Sequence, residues 1–477
     1  MIQTVTQNRK AEKTIAVLYV YLLPIRMIAQ FEPLQAAMHG AGVYFDVILH
    51  ALGVLLYLIS HRGRICIKND LNSRVMQYTG LMVLLLNLSS VVMACVIQAV
   101  YGDHGSESAF DGMLGMLVYF TQYFLMFWYN REVFTLIAKE ELLRILRNIC
   151  VGMLVLGYFQ LLVMNIGGIF ATAYDNLDIF DVLYDSNMPK LCLTGSEGAS
   201  AGTFIGIMVY PFLFSQILTQ PKTKKYVLQV FLWLPIIYAT RSSTAYILVA
   251  ASICVFLLVY IRNKRKSAIL SIGIYACVIL VLIFAFNPEM ILNLFPKEIG
   301  EQIQYLLFEK ATDLQNGSTV ARTVPLLVNW GAFTEYPLLG VGNGLQGYFY
   351  EKYFPDWAYN AAGSDVLVFL ERSKYGIANG GVFFPGLLSG YGVFGLALIA
   401  IFLAKIRTLL KSGKEQLGAF YWFFMLACPA IILCGFQGDF YAKYFIWFIL
   451  SIPFMVNRGI NSAEIAAGSE SGKGAIK

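Results

Sequence analysis

Apolar runs, most of them 17 to 25 residues long and separated by short polar connections, dominate the chain; runs of that length cross a bilayer as a helix. They fall near residues 14–30, 43–60, 78–101, 110–129, 149–172, 200–218, 226–240, 244–261, 268–286, 379–404, 417–436 and 443–457. The pattern predicts an all-α integral membrane protein of about 12 transmembrane helices. Two connections are long. Residues 173–199 form an acidic outside loop, and residues 287–378 form a much larger one between spans 9 and 10. Inside the larger loop, GEQIQYLLFEKATDLQ and ARTVPLLVNWGAF repeat apolar residues at helical spacing, which predicts short amphipathic helices against the membrane surface. The chain divides accordingly into spans 1–9 (residues 1–286), the extracytoplasmic loop (287–378), spans 10–12 (379–457) and a cytoplasmic tail (458–477).

Composition agrees with that division. Of 477 residues 58% are hydrophobic and 13% charged, about half the charge of a soluble domain, and the mean hydropathy is +0.64. The net charge of +6 does not point to nucleic acid. Of the 35 Lys and Arg residues, 25 fall in alternate connections and in the two ends, on one side of the membrane if both termini are cytoplasmic. That is the positive-inside pattern. Among the cysteines only Cys192 falls in an outside loop, so no disulfide framework is expected there. No convincing cleavage site follows the first apolar run, so that span is expected to stay as an anchor.

One short motif could mislead. Residues 342–347, GNGLQG, spell the dinucleotide-binding G-x-G-x-x-G, but no strand–turn–helix pattern surrounds them and they fall in the outside loop. The glycines Gly340, Gly342 and Gly344 are expected to form a tight turn where the chain folds back toward the bilayer, with backbone N–H groups free to meet an anion. Arg241, in YATRSSTAYI, sits in a turn between two spans. At membrane depth an arginine costs about 2.5–3.5 kcal/mol and needs a partner or a task. Its planar fork can bind phosphate oxygens or snorkel to headgroups. Arg322 begins the amphipathic stretch that ends at the glycine turn.

The order T-R-S at 240–242, then Arg322, a tryptophan, PLLGVG, and a glycine-rich re-entry into a span containing GYGVFGLAL resembles the shared pattern of bacterial O-antigen ligases and Wzy-type polymerases. The likeness is local at 239–245, 322–344 and 379–398, and extends in topology over most of the chain. It implies a GT-C-like membrane glycosyltransferase of the bacterial inner membrane, without metal or other cofactor. Such a protein takes glycan from a polyprenyl diphosphate-linked oligosaccharide, alongside a flippase and a chain-length regulator. Arg241 and Arg322 match the family's essential arginines. Ligases carry a His-Asn pair at the start of the span after the large loop, where this chain has Ala378 and Asn379; that departure favours a repeat-unit polymerase over a ligase.

Candidate bases for a sugar hydroxyl are Asp356, Asp365 and Glu371, with Arg372 and Lys374 nearby to bind glycan charge. Asp365 is taken as the catalytic candidate and Asn379 as a substrate contact. The run YFYEKYFPDWAY, with Trp357, is suited to stacking on sugars or to the membrane interface. A secondary transporter is the rival class: Asp46 and His50 share a helix face and could relay protons, but the two halves of the chain are dissimilar, unlike most transporters.

Overall fold

The computed structural model describes residues 2–25, 45–61, 70–103, 108–166, 183–185, 188–195, 198–262, 301, 304–305, 317–359, 382–438 and 443–456. The helices are α1 (Ile2–Tyr21), α2 (Phe45–Ser60), α3 (Leu71–Tyr101), α4 (Ala109–Leu136), α5 (Lys139–Ile166), α6 (Gly198–Thr219), α7 (Lys224–Leu232), α8 (Leu234–Ala239) and α9 (Ser243–Arg262). They continue with α10 (Gly317–Glu335), α11 (Phe383–Ser412), α12 (Ala419–Gln437) and α13 (Tyr444–Leu450). Among the described residues six of these, α3, α5, α6, α9, α11 and α12, are long and apolar enough to cross a membrane. The chain is thus a mostly helical multi-pass membrane protein. The predicted span 268–286 lies outside the described residues, and the span expected at 226–240 is two helices, because Trp233 and Pro235 interrupt it. A two-stranded antiparallel hairpin, β1 (Leu183–Asp185) and β2 (Met188–Lys190), qualifies the all-helical expectation.

Two packing units organise the bundle. The larger joins α1–α9 to α11–α13 through residues such as Leu146, Phe204, Trp233, Leu248, Phe423 and Ile446. The smaller sets α10, through Val320, Val324, Val328 and Ala332, against Ala94 and Ile97 of α3, Ala109 and Met113 of α4, and Phe349, Tyr350 and Phe354. Close helix approach comes from small residues. Gly202 and Gly206 of α6 lie so near α9 that a Cβ would meet Ala245 and Leu248 at 2.5 Å. Residues 205–209 of α6 form a π-helical turn, and Ser252 of α9 donates to the Gly206 carbonyl at 2.8 Å. At the end where α3 begins, Asn72 donates to the carbonyls of Phe454 and Val456, tying the chain's last described turn into the bundle.

Candidate functional site

Arg241 occupies the turn between α8 and α9 with φ at 48°. A left-handed backbone costs an L-residue about 1–2 kcal/mol, and such strain gathers where geometry serves a task. Leu193, with φ at 53°, is the other non-glycine residue of positive φ among those described. The fold brings the two segments together. The N–H of Leu191 donates to the Ala239 carbonyl at 3.0 Å, and Gly198 abuts the Thr240 carbonyl, which a Cβ would meet at 2.1 Å.

The stretch Leu191–Thr194, within the loop expected over 173–199, is buried. Its leucines make burial favourable and its backbone finds partners inside the protein. Gln160 of α5 accepts from the Leu193 N–H at 2.9 Å and donates to the Leu193 carbonyl at 2.8 Å, and the Thr194 hydroxyl donates to the Pro24 carbonyl. Buried irregular backbone of this kind is stable only when its polar groups are met by protein, as they are here. Within this frame the Nη1 of Arg241 is buried and has no hydrogen-bond partner among the described residues.

The glycine turn is also buried, and it is fully committed. The N–H groups of Gly340, Val341 and Gly342 donate to the carbonyls of Tyr336, Ser389 and Gly390 at 2.8–3.0 Å, that of Asn343 to Ser90 Oγ at 3.2 Å, and that of Gly344 to Gln346 Oε1 at 2.9 Å. They are not free for an anion. What the glycines supply is left-handed backbone and closeness: φ is 71°, 91° and 88° at Gly340, Gly342 and Gly344. Opposite the turn, α11 breaks at Gly392 (φ 59°, ψ −157°), and the N–H groups of Val393 and Phe394 donate to the carbonyls of Pro337 and Leu338 at 2.8 and 3.0 Å. Turn and helix break therefore satisfy each other. Ser389 extends the joint by bonding Asn329 of α10, while Gln346 donates to the Gly386 carbonyl at 3.1 Å.

Arg322 is half-buried on α10. Its spacing to Leu326, Asn329 and Trp330 puts it on their face of the helix. Those three residues line an apolar cavity of ≈ 800 Å³ that runs along α11 from Phe383 to Ile406, with Met82, Phe124 and Phe424 on its other walls. Arg241 and Arg322 thus stand on different packing units, Arg241 between Ala239 and Ala245 of the larger and Arg322 between Val320 and Val324 of the smaller.

The aromatic run divides. Phe349, Tyr350 and Phe354 are core of the smaller unit, and Trp357 packs half-buried against it. Tyr353 and Lys352 reach Glu335 at the end of α10, at 2.5 and 2.6 Å, and Tyr101 of α3 donates to the same carboxylate at 3.3 Å. Burial tends to raise the Glu335 pKa, but bonds from Lys352, Tyr353 and Tyr101 outweigh it and hold the carboxyl below the usual range. Asp365, Arg372, Lys374 and Asn379 lie outside the described residues. No group of three or more His, Cys, Asp or Glu residues placed to hold a metal occurs among those described.

Residues 228–366 match the family model described as O-antigen ligase, a stretch that takes in Arg241, Arg322, the glycine turn and Asp365. No curated protein matches the chain. The family indicates a membrane glycosyltransferase-like activity of the O-antigen ligase and polymerase kind.

Proposed function

We propose that this chain, with an O-antigen ligase domain at 228–366, is a polysaccharide repeat-unit polymerase. It transfers glycan from a polyprenyl diphosphate carrier to a hydroxyl of a second lipid-linked repeat unit on the outer face of the bacterial inner membrane. The observation that carries the reading is Arg241: a strained backbone holds a guanidinium among the helices with one nitrogen buried and, among the described residues, unpartnered. Such a cation is preorganised for an anion that arrives with the substrate.

In this reading the acceptor hydroxyl oxygen attacks C1 of the donor sugar, the bond from C1 to the phosphate oxygen breaks, and the electron pair leaves with the diphosphate. Arg241 meets the charge that grows on the leaving oxygen, and Arg322 approaches the same group from α10. Asp365 takes the proton of the acceptor hydroxyl. Arg372, Lys374, Asn379 and Trp357 contact glycan, and the glycine turn shapes the wall of the site rather than donating to the anion. The apolar cavity beside Arg322 has the size of ligand pockets and an oily lining along the length of α11, which suits a prenyl tail. Both termini are then cytoplasmic, and a flippase and chain-length regulator act on the same substrates. Ala378, where ligases carry histidine, favours elongation over transfer to a lipid acceptor.

The test is a reconstitution. Purified protein given a polyprenyl diphosphate-linked repeat unit yields a ladder of glycans still on the carrier, and Arg241→Ala and Arg322→Ala, folded and inserted, yield none. A full ladder from both variants overturns the proposal, and transfer of finished glycan to lipid A core in place of a ladder identifies a ligase.

A further inference from the structure

The turn that holds Arg241 leads directly into α9, whose first residues are Ser243, Thr244, Ala245 and Tyr246. Hydroxyl groups nearby find carbonyl acceptors: Thr240 donates to Ile237 at 2.7 Å, and Ser252, further along α9, donates to Gly206. Ser243 Oγ and Tyr246 OH do not. Both atoms are buried and lack a hydrogen-bond partner among the described residues, as does Arg241 Nη1. Three polar groups within six residues that are unmet among the described residues are costly in a helix bundle in lipid. Ser243 and Tyr246 are three apart and share a face of α9. Tyr246 also lies within electrostatic reach of Arg241.

We infer that Arg241, Ser243 and Tyr246 form one oxyanion site, in which the Ser243 and Tyr246 hydroxyls donate to phosphate oxygens of the ligand whose charge Arg241 balances. A tetrahedral phosphate offers several acceptor oxygens to donors that converge from one helix turn, and the start of α9 adds a favourable dipole. This inference rests on the proposed use of a lipid diphosphate and adds to it two residues that neither the family match nor the arginines assign.

The probe is farnesyl diphosphate titrated into the full-length protein in detergent, with phosphorus NMR of the bound diphosphate as a second readout. Tyr246→Phe keeps the ring and removes the hydroxyl; it weakens binding roughly tenfold or more, the range for a hydrogen bond to a charged group, and shifts the bound phosphorus resonance. Tyr260→Phe, at the far end of α9, changes neither. If Tyr246→Phe and Ser243→Ala bind like the parent while Arg241→Gln binds weakly, the hydroxyls meet only water and the inference falls, leaving the role of Arg241 intact. If Arg241→Gln also binds like the parent, the diphosphate reading fails with it. Equal weakening by Tyr246→Phe and Tyr260→Phe marks a general loss of packing and overturns the inference as well.

Discussion

The amide nitrogen of Leu191 donates to the carbonyl oxygen of Ala239 at 3.0 Å, and two residues onward along each segment stand Leu193 and Arg241, both with left-handed backbone. One hydrogen bond therefore pins together the two strained segments. The buried loop fixes the turn from which the guanidinium projects, so the position of that charge depends on residues about fifty positions earlier in the chain.

Strain at Arg241 separates stability from activity. Arg241→Ala and Arg241→Gly both remove the guanidinium and are expected to abolish elongation. Glycine adopts the left-handed conformation without penalty, so the Gly variant is expected to be more stable than the Ala variant by about 1 kcal/mol. Thermal unfolding of the two in one detergent measures the difference; equal stability would mean that the turn is not strained.

At Gly340, with φ at 71°, a Cβ would come within 2.4 Å of Ser389 O and the backbone of Gly390 and Tyr391. Gly340→Ala is expected to cost about 2–5 kcal/mol by forcing turn and helix apart. Gly152→Ala on α5, where a Cβ meets nothing within 4 Å, is the control and is expected to be neutral or to stabilise by up to about 1 kcal/mol. Fluorescence-detected size exclusion after heating compares the two directly.

The Glu335 carboxyl is held below its ordinary range in the folded protein, so the sign of its pH dependence follows. Its contribution is complete above the ordinary carboxylate pKa and is lost as pH falls through the depressed folded value. Hydrogen exchange over residues 346–359 is expected to accelerate on acidification through that window. Glu335→Gln is expected to show fast exchange at neutral pH and little further change.

Filling the cavity tests its occupant. Ile399→Trp projects an indole into the space along α11. It is expected to raise KM several-fold for donors with a long prenyl chain, while leaving short-chain donors nearly unaffected. Equal effects on both donors would remove the tail from that cavity.

The sequence made the spans readable because apolar length alone decides them, as at α3, α5 and α11. It also foresaw α10, whose apolar residues repeat at helical spacing through Pro325. Two kinds of feature escaped it. The first is pairing between distant segments: glycines at 340–344 announce unusual backbone, but nothing local says that their N–H groups are taken by Ser389 and Gly390 instead of awaiting a ligand. The second is strain on residues with no preference for it. Arginine and leucine carry no sign of left-handed backbone, so nothing local marks Leu193, and Arg241 stands out only by its charge and its place at the end of a span. Tyr246 is hidden for a related reason, since a tyrosine in a span counts as apolar until its hydroxyl is seen to lack an acceptor among the described residues.

The four reciprocal backbone bonds between residues 337–342 and 389–394 act as a rivet through a broken rod. If the upper piece of α11 tilts, it must carry the turn along, and with the turn α10 and Arg322. Under the proposed function, a prenyl tail beside α11 and a glycan near α10 would both bear on this one joint.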